Sequence, residues 1–133
     1  MMGYLAPYVA ALVVFAVVDG AWLYFMGSQL YKPTLGDILT PDVRLGPAAA
    51  FYLLFPVGLT IFAIDPAIKA GSIGTALLYG ALFGFFAYAT YDLTNFATLR
   101  NWTLQITLID MAYGAAVAAL ASAAGYWAST LTR

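Results

Sequence analysis

The sequence predicts an all-α integral membrane protein, a four-transmembrane-helix antiparallel bundle. Three observations carry that reading. Only 8% of the 133 residues are charged and 64% are hydrophobic, with a mean hydropathy of +0.89, whereas soluble domains carry roughly a quarter charged residues. The apolar residues fall into four runs, each close to the ~20 residues a spanning helix needs. The breaks between runs are short and polar. Five basic and six acidic side chains could not cover the surface of a water-exposed fold of this size.

The runs place helices over about residues 4–26, 46–64, 72–92 and 102–128 of a single domain, 1–133. The first lacks the basic start and small-residue cleavage site of a secretory signal, so it is expected to be retained. For the second, Thr40-Pro41 and Gly46-Pro47 both offer a start, since proline is tolerated in a first turn. Pro56 is expected to kink that helix, because it removes a backbone donor and crowds the preceding turn. Ser72 reads as the N-cap of the third. The connections are Gly27 to Leu45, a tight turn from Asp65-Pro66 to Gly71, and Thr94 to Asn101. The first and third share one side and hold Lys32, Arg44 and Arg100, against Lys69 and Arg133 on the other. Three against two favours the first and third loops in the cytoplasm. Trp22, Tyr24, Tyr31, Tyr91 and Trp102 lie near that side and read as an interfacial aromatic belt.

The chain has six aspartates and no glutamate, and three of them, Asp19, Asp92 and Asp110, fall within or at the edge of the apolar runs. A carboxyl in a membrane helix is costly unless protonated, paired or open to water, which makes it a functional candidate. Helix directions put all three in one leaflet. Asp19 is expected about 10 Å below the loop 1/3 face, Asp110 about 12 Å below it, and Asp92 at or just under it. Asp19-Gly-Ala-Trp22 and Asp110-Met-Ala-Tyr113 share the pattern Asp-x-Ala-aromatic, so each acid is expected to have its own aromatic ring beside it on one helix face. Tyr88, Asp92 and Asn95 share a face of the third helix. Tyr91, Gln105 and, from the second helix, Tyr52 complete an expected polar, aromatic-lined pocket opening toward the loops. Arg44 and Arg100 are the candidate charge partners, and without such a pair at least one aspartate is expected to keep its proton near neutrality. The opposing structural reading makes Asp92 an interfacial cap or a partner of Arg100, and Asp19 and Asp110 hydrogen-bond partners of Tyr, Trp or Asn on other helices. Gly80 and Gly84 form a GxxxG element, matched by Gly114 and Ala118. These small residues suit packing within the bundle, with a homodimer face as the alternative.

Composition excludes several functions. The absence of cysteine and histidine removes disulfides, thiolate zinc and haem held by His or Cys; no metal and no cofactor is expected, although the three carboxylates with Asn95 and Gln105 could hold a hard cation. A net charge of −1 with no basic patch argues against nucleic acid. Tyr91-Asp92 lacks the Gly-x-Gly-Asp partner of intramembrane aspartyl proteases, and Ser122 lacks a histidine and a Gly-x-Ser-x-Gly setting. Two classes stay open. One is a binder or transporter of a small cationic or amphipathic molecule, coupled to protons, since carboxyls beside aromatic rings suit a cation. The other is a membrane-embedded enzyme or accessory subunit acting on a lipid or isoprenoid by carboxyl acid–base chemistry. The expected partners are membrane lipid and a small-molecule or lipid ligand.

Asp19 with Trp22, Phe51-Tyr52 with Gly58, the run Thr90-Tyr91-Asp92-Leu93-Thr94-Asn95 with Ala97-Thr98, and Trp102 with Asp110 carry a resemblance that covers nearly the whole chain. On these residues the sequence resembles a bacterial family of four-helix inner-membrane proteins without an assigned function. The resemblance implies a multi-pass protein of the bacterial inner membrane and implies no mechanism.

Overall fold

The computed structural model describes residues 2–40 and 44–132. Four helices are long and apolar enough to cross a membrane: α1 (Leu5–Leu35), α2 (Leu45–Ala70), α3 (Ile73–Thr98) and α4 (Leu104–Thr132). Among the described residues there is no strand. Sequence neighbours pack antiparallel, and α4 also packs along α1, which closes the bundle. Half of the most apolar window of α4 is buried, against 17% for α1 and α3, so α4 is the hub and the others turn most of their surface to lipid.

All four helices outrun their expected ends. α1 continues past Met26 through a π-turn, Gly27–Tyr31, into a final α-turn that ends at Leu35. The expected start at Thr40-Pro41 involves Pro41, which with Asp42 and Arg133 lies outside the described residues. The other start holds: α2 begins at Leu45, with Pro47 in its first turn. Helix α2 runs through Pro56 and changes to a π-turn only over Thr60–Ile64. There the Thr60 hydroxyl donates to the Pro56 carbonyl at 2.8 Å, and its N–H is shared between the Pro56 and Val57 carbonyls. The irregularity next to the proline is thus a π-turn stabilised by a threonine, a recurring way of re-satisfying backbone in membrane helices.

The expected turn from Asp65 shrinks to two residues, because Asp65–Ala70 stays helical. Gly71 has φ +65, the left-handed conformation that glycine adopts without a Cβ penalty. Its N–H returns to Ile68 and that of Ser72 to Ala67 at 3.1 Å, a Schellman closure. The Ser72 hydroxyl then accepts from the Thr75 N–H at 3.2 Å and caps α3, as expected. At the bundle's other end Asn101 donates to the Thr34 carbonyl and to Asp37, which ties the third loop to the end of α1.

The half of the bundle nearer the termini holds the apolar core: Ala11 and Phe15 from α1, Phe55, Leu59 and Ile64 from α2, and Val117, Ala118 and Ala121 from α4. At Gly80 and Gly84 no large side chain separates α3 from α4. A Cβ on Gly80 would lie 2.6 Å from the Ser122 hydroxyl and 2.7 Å from the Ala118 carbonyl oxygen, and one on Gly84 2.2 Å from the Gly114 carbonyl oxygen. The GxxxG element therefore packs inside the chain, where close backbone approach replaces the hydrophobic drive that lipid removes.

Substitution tests this contact. Gly84→Ala is expected to lower the unfolding midpoint in detergent by an amount equivalent to about 1–3 kcal/mol, the usual cost of overpacking. Gly20→Ala, whose Cβ would meet nothing within 4 Å, is expected to leave that midpoint unchanged or raise it.

Candidate functional site

Two registers assemble the site. Along α1 and α4, a Cβ on Gly125 would lie 3.0 Å from the Pro7 carbonyl oxygen. Asp19 is twelve residues after Pro7 and Tyr113 is twelve before Gly125, so an antiparallel pair brings those two level. Three residues further along each helix, Trp22 comes level with Asp110. Tyr113 therefore bonds to the acid of the other motif, and Trp22 reaches the level of Asp110 and is linked to it through Tyr31, where the sequence places each ring beside its own acid. This register also reverses the expected depths: Asp110 lies about one helical turn nearer the loop 1/3 face than Asp19.

Along α3 and α4, Gly80 meets Ser122, Gly84 meets Ala118, and the Tyr88 ring covers Gly114. Both helices advance four residues per rung, so the next rung is Asp92 against Asp110, which brings the two carboxyls within electrostatic reach of each other. α3 continues to Thr98. Asp92 is therefore six residues, or about 9 Å, inside the helix end.

The three acids differ in their partners. The Asp19 carboxylate accepts from the Tyr52 hydroxyl at one oxygen and from the Tyr113 hydroxyl at 2.8 Å at the other. The Tyr113 ring stacks on Trp22 with centroids 4.0 Å apart and planes within 10°. The Trp22 indole N–H donates to the Tyr31 oxygen at 3.1 Å, and Tyr31 donates to Asp110 at 2.6 Å. Asp92 is completely buried, at 0% exposure, and neither of its oxygens has a hydrogen-bond donor. The group it faces is another carboxyl. Two acceptors make a hydrogen bond only if one carries a proton, and otherwise only a cation can join them.

The cluster is packed rather than open. Asp19 is 7% exposed and Asp110 6%. The loop-side end is closed by Leu30, Leu35, Trp102 and Ile106, with Met26, Tyr31 and Ile109 against them. Trp102 is thus buried in this plug and does not belong to an interfacial belt; its indole N–H has no partner. Asp19, Trp22, Tyr52, Asp92, Asp110 and Tyr113 come together as the sequence suggests. Gln105 is exposed and stands apart, and Tyr91 is exposed with its ring edge-on to Trp102 at 5.5 Å. Asn95 is half-buried, one turn beyond Asp92. Arg44 and Arg100 are both exposed; among the described residues the one ion pair is Lys69–Asp65, at 3.1 Å. The Asp92–Arg100 pairing is therefore absent. Among the described residues no group of three or more acidic side chains is arranged to hold a metal.

Tyr88, placed by the sequence on the face of Asp92, joins the site through its ring, and one further tyrosine joins it that the sequence does not assign there. No local signal gives away Tyr31, which reads as part of a polar loop until the π-turn keeps it helical and turns it onto Asp110.

With Asp19 held by two phenols, Tyr113→Phe is expected to cost about 1–3 kcal/mol of stability in detergent, the penalty for leaving a buried polar oxygen without its donor. In a double-mutant cycle with Asp19→Asn the two losses should be clearly non-additive.

The chain belongs to the family DUF2177, described as a predicted membrane protein, whose model matches residues 4–127. Neither a curated protein nor a solved structure matches it.

Proposed function

We propose that this multi-pass membrane protein binds a small cationic or amphipathic molecule and exchanges it for a proton at Asp92 and Asp110. The observation that carries the reading is the buried Asp92 carboxyl, which no protein group stabilises and which faces a second carboxyl. A side chain needed only for packing has cheaper alternatives at this depth, since a carboxyl in the membrane is expensive by any measure. Retaining it makes sense if the pair does work. A proton held between the carboxyls satisfies them in the resting state. A monovalent cation entering as the proton leaves keeps the charge of the pair constant, which is the condition for cheap exchange in a low-dielectric site.

Asp19 has a different part in this scheme. Two phenol donors occupy both of its oxygens, and the Trp22–Tyr113 stack beside it adds ring surface of the kind cations favour. The acid–base reading on a lipid needs carboxyls that meet the bilayer. Their enclosure among four helices favours exchange instead.

The test uses purified protein in liposomes loaded with a pH-sensitive dye. Adding a lipophilic cation such as tetraphenylphosphonium outside should move protons in wild type and not in Asp92→Asn. The amide of this variant can donate to Asp110, so its unfolding midpoint should equal or exceed that of wild type by about 1 kcal/mol. Unfolding of Asp92→Asn, or exchange at the wild-type rate, would remove Asp92 from the mechanism.

A further inference from the structure

The geometry points to Tyr31 as the access-determining residue of the Asp92–Asp110 pair: a latch on the α1 π-turn that separates the pair from water on the loop 1/3 side and releases when the turn changes register. This inference rests on the proton-exchange reading above.

Tyr31 is the last residue of the π-turn Gly27–Tyr31, with α-helix on both sides. Such single turns hold one residue more than the surrounding helix, are less favourable than it, and concentrate at functional sites. Here the extra residue aims the Tyr31 hydroxyl at Asp110, 2.6 Å away, while the Trp22 indole holds the same oxygen from behind. Removing the extra residue from the turn would rotate Tyr31 by about 100° around the helix axis. Its hydroxyl would then leave Asp110.

The same turn carries the plug. Leu30, one residue earlier, is buried against Trp102 and Ile106, so the rotation that withdraws Tyr31 also withdraws Leu30. A separate observation marks this spot as one that opens. The Trp102 N–H is buried in the plug with no acceptor, a penalty of the closed arrangement that water or a ligand oxygen would relieve. Gly27 begins the turn, and a Cβ there would meet nothing within 4 Å, so the backbone has room to move.

Carbodiimides test the latch, because they label protonated carboxyls and come in membrane-soluble and water-soluble forms. The full chain in liposomes is treated with dicyclohexylcarbodiimide, or with a water-soluble carbodiimide plus glycine ethyl ester, and the adducts are located by mass spectrometry. In wild type, Asp92 or Asp110 should react with the first reagent and hardly with the second. Tyr31→Phe keeps the ring and removes only the hydroxyl. It should raise water-soluble labelling of Asp110 about tenfold, the factor one such hydrogen bond is worth. Leu30→Ala, which loosens the plug and spares the hydroxyl, should raise it as well. If both variants stay at the wild-type level while membrane-soluble labelling persists, the latch is wrong and the proton pair stands. If neither reagent labels Asp92 or Asp110 in any variant, the exchange reading fails and the latch fails with it.

Discussion

The close contact between α3 and α4 is the constraint on which the site depends. In lipid, apolar side chains gain little by leaving the bilayer for the protein, so helices stay together through close fit and internal polar bonds. Gly80, Gly84 and Gly114 let the two backbones meet, and the four-residue step on both helices fixes their register. Once that register is fixed, Asp92 has no choice of neighbour. The small residues that hold the bundle together are the same residues that press two carboxyls face to face.

A second consequence is a division among the acids that their depth alone does not reveal. Asp19 of α1 sits where α2 and α4 each contribute a tyrosine, and its two oxygens are both occupied. It works as a junction for three helices. Asp110 has one phenol, and Asp92 has only Asp110. Going from Asp19 to Asp92, the acids exchange structural support for chemical freedom. Tyr31 and Trp22 lie along that gradient, and the Trp22–Tyr113 stack links Asp19 to Asp110 through Tyr31.

Much of this was legible in the sequence, for definite reasons. Four apolar runs and two short turns leave few ways to fold in a membrane, and the Gly71-Ser72 pair signals its turn through the chemistry of a left-handed glycine and a capping serine. Asp19, Trp22, Asp110 and Tyr113 stood out by residue type and spacing. Their cross-pairing was not legible, because it depends on the relative register of two helices, and a single chain does not record that without a marker such as Gly125 against Pro7. The distance of Asp92 from its helix end is hidden in the sequence for a related reason. Apolar periodicity ends near Tyr91, yet Thr90, Thr94 and Thr98 carry the helix on by folding their hydroxyls onto carbonyls one turn back, so polar residues continue a membrane helix without exposing a polar group. Tyr31 was hidden by a π-turn, which has no simple sequence signature.

The two-residue connection at Gly71-Ser72 has a mechanical consequence. Helices α2 and α3 are pinned together at the terminal side with no slack, whereas nine residues, 36–44, separate α1 from α2 at the other end. The loop end is held in another way, by the short α3–α4 connection, by the Asn101 bonds to Thr34 and Asp37 and by the buried plug around Trp102. The acids therefore lie toward the end of the bundle that is joined by side chains, while the apolar core fills the end that is joined by the backbone turn.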